Sequence, residues 1–346
     1  MSKLLHERED FPLSLLEAEA SDLHEMLGGP TLFHLRGRRE PALFVSALMH
    51  GNETSGWDAV RRVLRAHVSA DGFDLPRSLS LFIGNTEAAA HGVRHLPEQL
   101  DFNRVWPGSE SSGRPEHELM REVMDIMAGR EIFASIDIHN NTGLNPHYAC
   151  VNVLEHQSLH LASLFGRTVV YFVRPRGVAS MAMAALGPSV TLECGKVGQE
   201  HGVNHAEEYL QACLQLFEIP SHPVPSHDID LYHTVAIVRV PDEHAFAFGD
   251  EHASIRFPHD LDSMNFRELP AGSLIAECTG LSEQPLDVRD EQDMHVAERF
   301  FMLDEGRLLT RVPVMPSMLT CNPEVIRQDC LCYLMERYND HLVDAG

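Results

Sequence analysis

The 346-residue chain predicts an α/β fold: a mixed, largely parallel central sheet with helices on both faces, followed by a smaller β-rich part. Two observations carry this. Over residues 1–220, apolar runs of strand length alternate with amphipathic runs of helical length. At Ile219-Pro220-Ser221-His222-Pro223-Val224-Pro225 the composition turns to that of a linker, and short strand-like runs dominate beyond it. The expected division is therefore an α/β domain at 1–220 and a β-rich domain at 221–346 that ends in a helix.

The elements follow in order. Leu13 to Leu27 reads as a leading helix closed by Gly28-Gly29-Pro30. Leu32–Leu35 and Leu43–Met49 flank the polar turn Arg36–Pro41 and read as neighbouring strands. Thr54 to His67 is helical, with Trp57, Val60, Val63 and Leu64 on one side and Arg61, Arg62 and Arg65 on the other. Leu79–Asn85 is a strand, Thr86–Ala90 a helical turn, and Gly92–Arg114 a long loop of the kind that usually carries function. Pro115 opens a helix to Ala128. Strands are expected at Ile132–Ile138, Tyr148–Leu154, Thr168–Val173 and Ser189–Gly195, with helices at His156–Phe165 and Val203–Phe217. The later strands are Thr234–Val240, Ala253–Phe257, Ser273–Cys278 and Arg307–Pro313. The tail is expected to be helical after the capping sequence Asn322-Pro323-Glu324.

Composition excludes some functions. With 27 Lys and Arg against 51 Asp and Glu, the net charge of −24 argues against nucleic-acid or anionic-membrane surfaces, though not against a local arginine cluster that takes an acidic substrate. No apolar run reaches the length of a membrane span, and the first ten residues lack the apolar core of a signal peptide. Seven cysteines, odd in number and without metal-ligand spacing, read as reduced thiols of a cytoplasmic protein.

Three buried strands each end in a group suited to chemistry. Leu43–Met49 delivers His50 and Glu53, Ile132–Ile138 delivers His139, and Ser189–Leu192 delivers Glu193. Ligands of open α/β sheets sit beyond the carboxyl ends of the strands. An imidazole and a carboxylate three residues apart on a turn can face one divalent cation, and nitrogen with oxygen ligation suits zinc. The pattern His-x-x-Glu alone is weak, because it recurs at His6, His95, His205 and His295 among 22 histidines. Its place after a buried strand distinguishes His50/Glu53. A glutamate ending an apolar strand is costly unless paired or functional, and Lys196 is the alternative partner for Glu193.

Together, His50-Gly51-Asn52-Glu53, Asp101-Phe102-Asn103-Arg104, Asp137-Ile138-His139 and Glu193 resemble the succinylglutamate desuccinylase/aspartoacylase branch of the zinc carboxypeptidase superfamily, over about residues 40–215. Asn265–Leu274 resembles the C-terminal β domain of that branch more faintly. The resemblance implies one zinc ion per chain, held by His50, Glu53 and His139, with Glu193 as general base and then proton donor to the leaving amine. It implies that Asn103 and Arg104 grip a substrate carboxylate, that Asp101 orients His50, and that Arg94 polarises the scissile carbonyl. Asp137 is either a partner of His139, two residues away on the same face, or simply the end of its strand, and the second reading is preferred.

The implied activity is hydrolysis of the amide bond of an N-acyl amino acid or related small amide. The expected partner is a small molecule with a free carboxylate, and homo-oligomerisation is compatible with this reading. A carboxypeptidase on short peptides and a non-catalytic zinc- or small-molecule-binding protein are the alternatives. One stretch departs from the family. Where an arginine and a tyrosine are usual, the chain reads Ser180-Met181-Ala182-Met183-Ala184-Ala185-Leu186, which weakens succinylglutamate and N-acetylaspartate and favours a more apolar acyl group or side chain. Cys194 should point away from Glu193 as a buried thiol, and His222, His227, His233 and His244 read as solvated.

Overall fold

The computed structural model describes residues 4–70, 72–249 and 253–338. A twelve-stranded mixed sheet organises it. From one edge the strands run His6–Arg8, Thr31–Leu35, Leu79–Ile83, Ala42–Ala47, Ile132–Asn141, Ser189–Lys196, Tyr148–Val151, Thr168–Tyr171, Asp230–Arg239, Cys332–Arg337 and Met315–Ser317. Asp287–Asp290 pairs in addition with Asp230–Arg239. The four strands from Leu79–Ile83 to Ser189–Lys196 are mutually parallel.

These strands form because their residues are apolar on both faces. In Ala42–Ala47, Leu43 and Val45 join the larger core with Ile136, Ile138, Val190 and Leu192. Phe44 points the other way, into a second core with Phe82, Trp106, Met120 and Met183. Burial on both sides is the usual setting of parallel strands. The helix Ser55–Ala66 covers the first face with Trp57, Val60, Val63 and Leu64, as the sequence predicts. The Ala42–Ala47 strand is the switch point: the chain leaves it for Leu79–Ile83 on one side and later for Ile132–Asn141 on the other. A crevice opens there, at the carboxyl ends.

Three expectations need correction. The leading helix is instead two 3-10 turns, Leu13–Glu17 and Ala20–Asp22, and a short α-helix, Leu23–Leu27. Ala18 is extended between them, and its carbonyl accepts hydrogen bonds from the Trp57 indole (2.9 Å) and Arg61 (3.2 Å). A tertiary contact therefore captures the carbonyl that a continuous helix would use. The tail helix is only Pro323–Gln328, and the chain then returns as the strand Cys332–Arg337; residues 339–346 lie outside those described. His233 is not solvated but bonds Glu291 at 2.6 Å and stacks on Tyr171.

The linker expected at 219–225 precedes Asp230–Arg239, which pairs in parallel with Thr168–Tyr171 and so continues the large sheet. Residues beyond it also build a five-stranded sheet of Phe246–Phe248, Ile255–Phe257, Leu274–Cys278, Arg307–Thr310 and Phe301–Asp304. A separate apolar cluster, with Val238, Phe257, Val288, Phe300 and Leu334, serves this part. All seven cysteines are free, and Cys194 is buried in the main core. Among the described residues no helix is long and apolar enough to cross a membrane.

Candidate metal centre and pocket

The turn after Ala42–Ala47 is tightly constrained. Leu48, fully buried, has φ of +58°, an unfavourable region for a γ-branched side chain. Gly51 lies so close to the Thr86–His91 helix that a Cβ there would stand 2.2 Å from the Ala89 nitrogen. Together they fix the direction in which His50 and Glu53 leave the strand.

His50, Glu53 and His139 converge, with one ligand-type atom from each lying within 4.8 Å of the others. Glu53 sits between the two imidazoles, Oε1 at 2.8 Å from His50 Nδ1 and Oε2 at 2.8 Å from His139 Nδ1. The Asn140 backbone N–H donates to Oε2 at 3.0 Å. Burial would raise the Glu53 carboxyl, but the two imidazoles outweigh it and hold it below the ordinary carboxylate range. Burial would likewise lower His139, and Asp137 and Glu53 instead hold its imidazole well above the ordinary value.

Each histidine is gripped on its far nitrogen. His50 Nε2 meets Asp101 Oδ1 at 3.0 Å, as expected. His139 Nε2 donates to Asp137 Oδ2 at 2.7 Å, and the Ser46 hydroxyl donates to Asp137 Oδ1 at 2.7 Å. The reading of Asp137 as a strand terminator is thus corrected. Ile132–Asn141 continues past it, so residues two apart share a face and the carboxylate meets the imidazole. Two nitrogens and a carboxylate, with a carboxylate behind each imidazole, are a donor set that fits zinc.

Glu193 stands in register with His139 on the adjacent strand and lines the same pocket. Its Oε2 has no hydrogen-bond partner among the described residues, and burial pushes its carboxyl up to about 8. Lys196, the alternative partner, pairs with Asp262 at 3.2 Å.

The guanidinium end differs from expectation. Arg94 donates to Asp101 Oδ2 through Nε (3.0 Å) and Nη2 (2.8 Å), while Nη2 also reaches Asp329 Oδ2 at 3.2 Å. Arg104 Nη2 lies 2.9 Å from both oxygens of Asp329, and its Nη1 donates to the Asn103 carbonyl. Burial opposes ionisation of Asp329, but Arg104 and Arg94 prevail and lower its pKa. The Asn103 side-chain amide lies 3.0 Å from His139 Nε2 and 3.4 Å from Asp137, and its Oδ1 accepts from the Ala179 N–H at 2.8 Å. The two residues expected to grip a substrate carboxylate are therefore already engaged by the chain.

The pocket encloses about 670 Å³ of empty space, part of it open to solvent. Its apolar wall is Tyr148, Val170, Phe172, Pro175, Val178 and Met318. The 180–186 stretch contributes none of it: Ala179–Met183 is a short helix whose Ala182 and Met183 pack into the second core. Sequence reasoning missed Asp329, Tyr333, Thr234 and Met318, which reach the pocket from beyond residue 220. Arg174 lines it as well and pairs with Glu110.

Comparison with known proteins identifies the family and the fold. Residues 39–217 match the model of the succinylglutamate desuccinylase/aspartoacylase catalytic domain. A succinylglutamate desuccinylase of Pseudomonas fluorescens is 28% identical over 256 residues, 68% of this chain and 72% of that protein. One from Pseudomonas aeruginosa is 27% identical over 287 residues, 77% and 83% of the two chains. Among solved structures, the succinylglutamate desuccinylase of Chromobacterium violaceum superposes with a TM-score of 0.54 at 18% identity, covering 88% of this chain and 86% of that one. Murine aminoacylase 3 gives 0.57 at 17%, covering 87% and 97%. The match spans the strands that carry His50, Glu53, His139 and Glu193, and the chain belongs to the succinylglutamate desuccinylase/aspartoacylase family.

Proposed function

We propose that the protein is a zinc-dependent amide hydrolase that removes an acyl group from an N-acyl amino acid or related small amide. The observation that carries this is the convergence of His50, Glu53 and His139 beside a buried Glu193 whose Oε2 has no partner among the described residues, in one pocket. His50, Glu53 and His139 would hold the ion, and Asp101 and Asp137 keep the two imidazoles in the tautomer that presents Nδ1. Zinc bound there supplies a more acidic water and a polarised carbonyl. Glu193 takes a proton from water at its free Oε2 and returns it to the departing amine nitrogen. Burial favours the neutral acid of Glu193, and a bound dication would favour its anionic, basic form instead. Arg94, with Nη1 3.8 Å from Glu53, would be the cation that stabilises the developing oxyanion. The apolar wall formed by Phe172, Val170 and Met318 suits an apolar acyl group or side chain better than a second acidic group.

The two-part division at 220/221 belongs to this reading, with Thr234, Met318, Asp329 and Tyr333 of the later part lining the pocket. We place the enzyme in the cytoplasm on the strength of its reduced thiols.

The test is amine release from a panel of N-acyl amino acids, their amides, and free and blocked dipeptides, with zinc-loaded protein and its Glu193→Gln variant. The variant should keep its metal and lose on the order of 10³-fold in turnover. Full activity in the variant overturns the mechanism. Hydrolysis confined to free dipeptides replaces the deacylase by a carboxypeptidase. Zinc bound without turnover of any compound leaves a binding protein.

A further inference from the structure

Asp329 sits where an incoming carboxylate would. Both of its oxygens lie 2.9 Å from Arg104 Nη2, and one is 3.2 Å from Arg94 Nη2. These contacts cross 225 and 235 residues of sequence, so they are a tertiary arrangement and not a local turn. The Asp329 side chain is 16% exposed and the two arginines are 26% and 10% exposed, which keeps the cluster largely out of water.

The main chain holds Asp329 in place. Its N–H donates to the Val325 carbonyl at 2.9 Å, and its carbonyl accepts from Arg239 Nε at 3.2 Å. The next residues are pinned too, since the Leu331 N–H donates to the Val238 carbonyl at 2.8 Å. The backbone at Asp329 therefore cannot move away without breaking the join between the Pro323–Gln328 helix and the Cys332–Arg337 strand, and the two guanidinium groups hold the carboxylate itself. Arg174, the third guanidinium lining the pocket, also carries a carboxylate of the chain, that of Glu110.

We propose that Asp329 is a specificity-determining residue: its carboxylate fills the Arg94/Arg104 subsite, so that the enzyme selects N-acyl compounds bringing a neutral group, such as a carboxamide or ester, to that position. This rests on the amide-hydrolase reading above and narrows its substrate class. A substrate carboxylate entering the subsite would exchange one carboxylate for another on the same guanidinium groups. It would also leave Asp329 buried without its partner, which is a net loss. A neutral carboxamide asks for no such exchange, and its N–H groups can donate to the Asp329 oxygens.

The experiment compares N-hexanoyl-leucine with N-hexanoyl-leucinamide on zinc-loaded wild type, Asp329→Ser and the isosteric Asp329→Asn. Leucine or leucinamide release gives kcat/KM, and calorimetric titration gives the affinity of each compound independently of turnover. The wild type should prefer the amide by tenfold or more in both readouts. Both variants should shift that ratio at least tenfold toward the acid, with the larger change in Asp329→Ser. Asp329→Asn preserves shape, so its shift separates lost charge from a folding defect, which circular dichroism of both variants monitors. Equal or better binding of the acid by wild type, or a ratio unchanged in Asp329→Asn, overturns the proposal. If neither compound is cleaved but the affinity ratios shift as stated, the hydrolase reading fails while the subsite assignment stands.

Discussion

The two ends of the pocket are built on different logics. At the ligand end, His50, Glu53 and His139 arise from adjacent parallel strands, and each histidine is held from behind by a carboxylate close in space. At the guanidinium end, Arg94 and Arg104 come from the 92–114 loop and are neutralised by Asp101 of the same loop and by Asp329 from the far end of the chain. One end offers donor atoms with nothing between them except a shared carboxylate. The other is charge-balanced before any ligand arrives. The donor end is thus assembled within the matched part of the chain, while the guanidinium end is completed from outside it.

This contrast can be broken experimentally. The largest effect is expected from His139→Ala or exhaustive chelation, either of which should abolish hydrolysis; zinc stoichiometry should fall with it, and retained activity in the chelated protein would defeat the metal assignment. Next is Asp101→Asn, because Asp101 serves both ends, holding His50 and Arg94 at once. Removing a buried partner of Arg94 should lower the melting temperature as well as zinc affinity, and the loss of stability is on the order of 3 kcal/mol. Asp137→Asn touches only the ligand end and should weaken zinc binding by about 10- to 100-fold. A calorimetric zinc titration that showed no change would restore Asp137 to a purely structural place. The smallest effect belongs to Ser46→Ala, which removes the hydroxyl donor to Asp137 and should cost about 1 kcal/mol of stability, measured by urea unfolding.

The same contrast explains what could be read in the sequence. His50 and Glu53 were legible because an apolar run with both faces buried must be a central strand, and such strands end at the crevice. His139 and Glu193 followed from the same rule, and the family resemblance assigned their roles. Asp137 required knowing that the strand continues to Asn141, which periodicity over Ile132–Ile138 did not reveal. Asp329 had no local signal at all: it lies between a six-residue helix and a strand, 225 residues from its partner. The broken leading helix failed for a related reason, since the apolar spacing of Leu15, Leu16, Leu23 and Leu27 is helical, but the Trp57 and Arg61 side chains claim the Ala18 carbonyl. Long-range polar contacts override local pattern in both places.

The parallel pairing of Asp230–Arg239 onto Thr168–Tyr171 has a consequence for dissection of the protein. The family match ends at residue 217, which invites expression of the first part alone. Such a fragment would end its sheet at Thr168–Tyr171, leaving a row of backbone donors and acceptors open to any other extended chain. It should self-associate through that strand rather than behave as a monomer. The later part is thus a cover for the sheet as much as a wall for the pocket, and shortened versions should be cut so that Asp230–Arg239 remains.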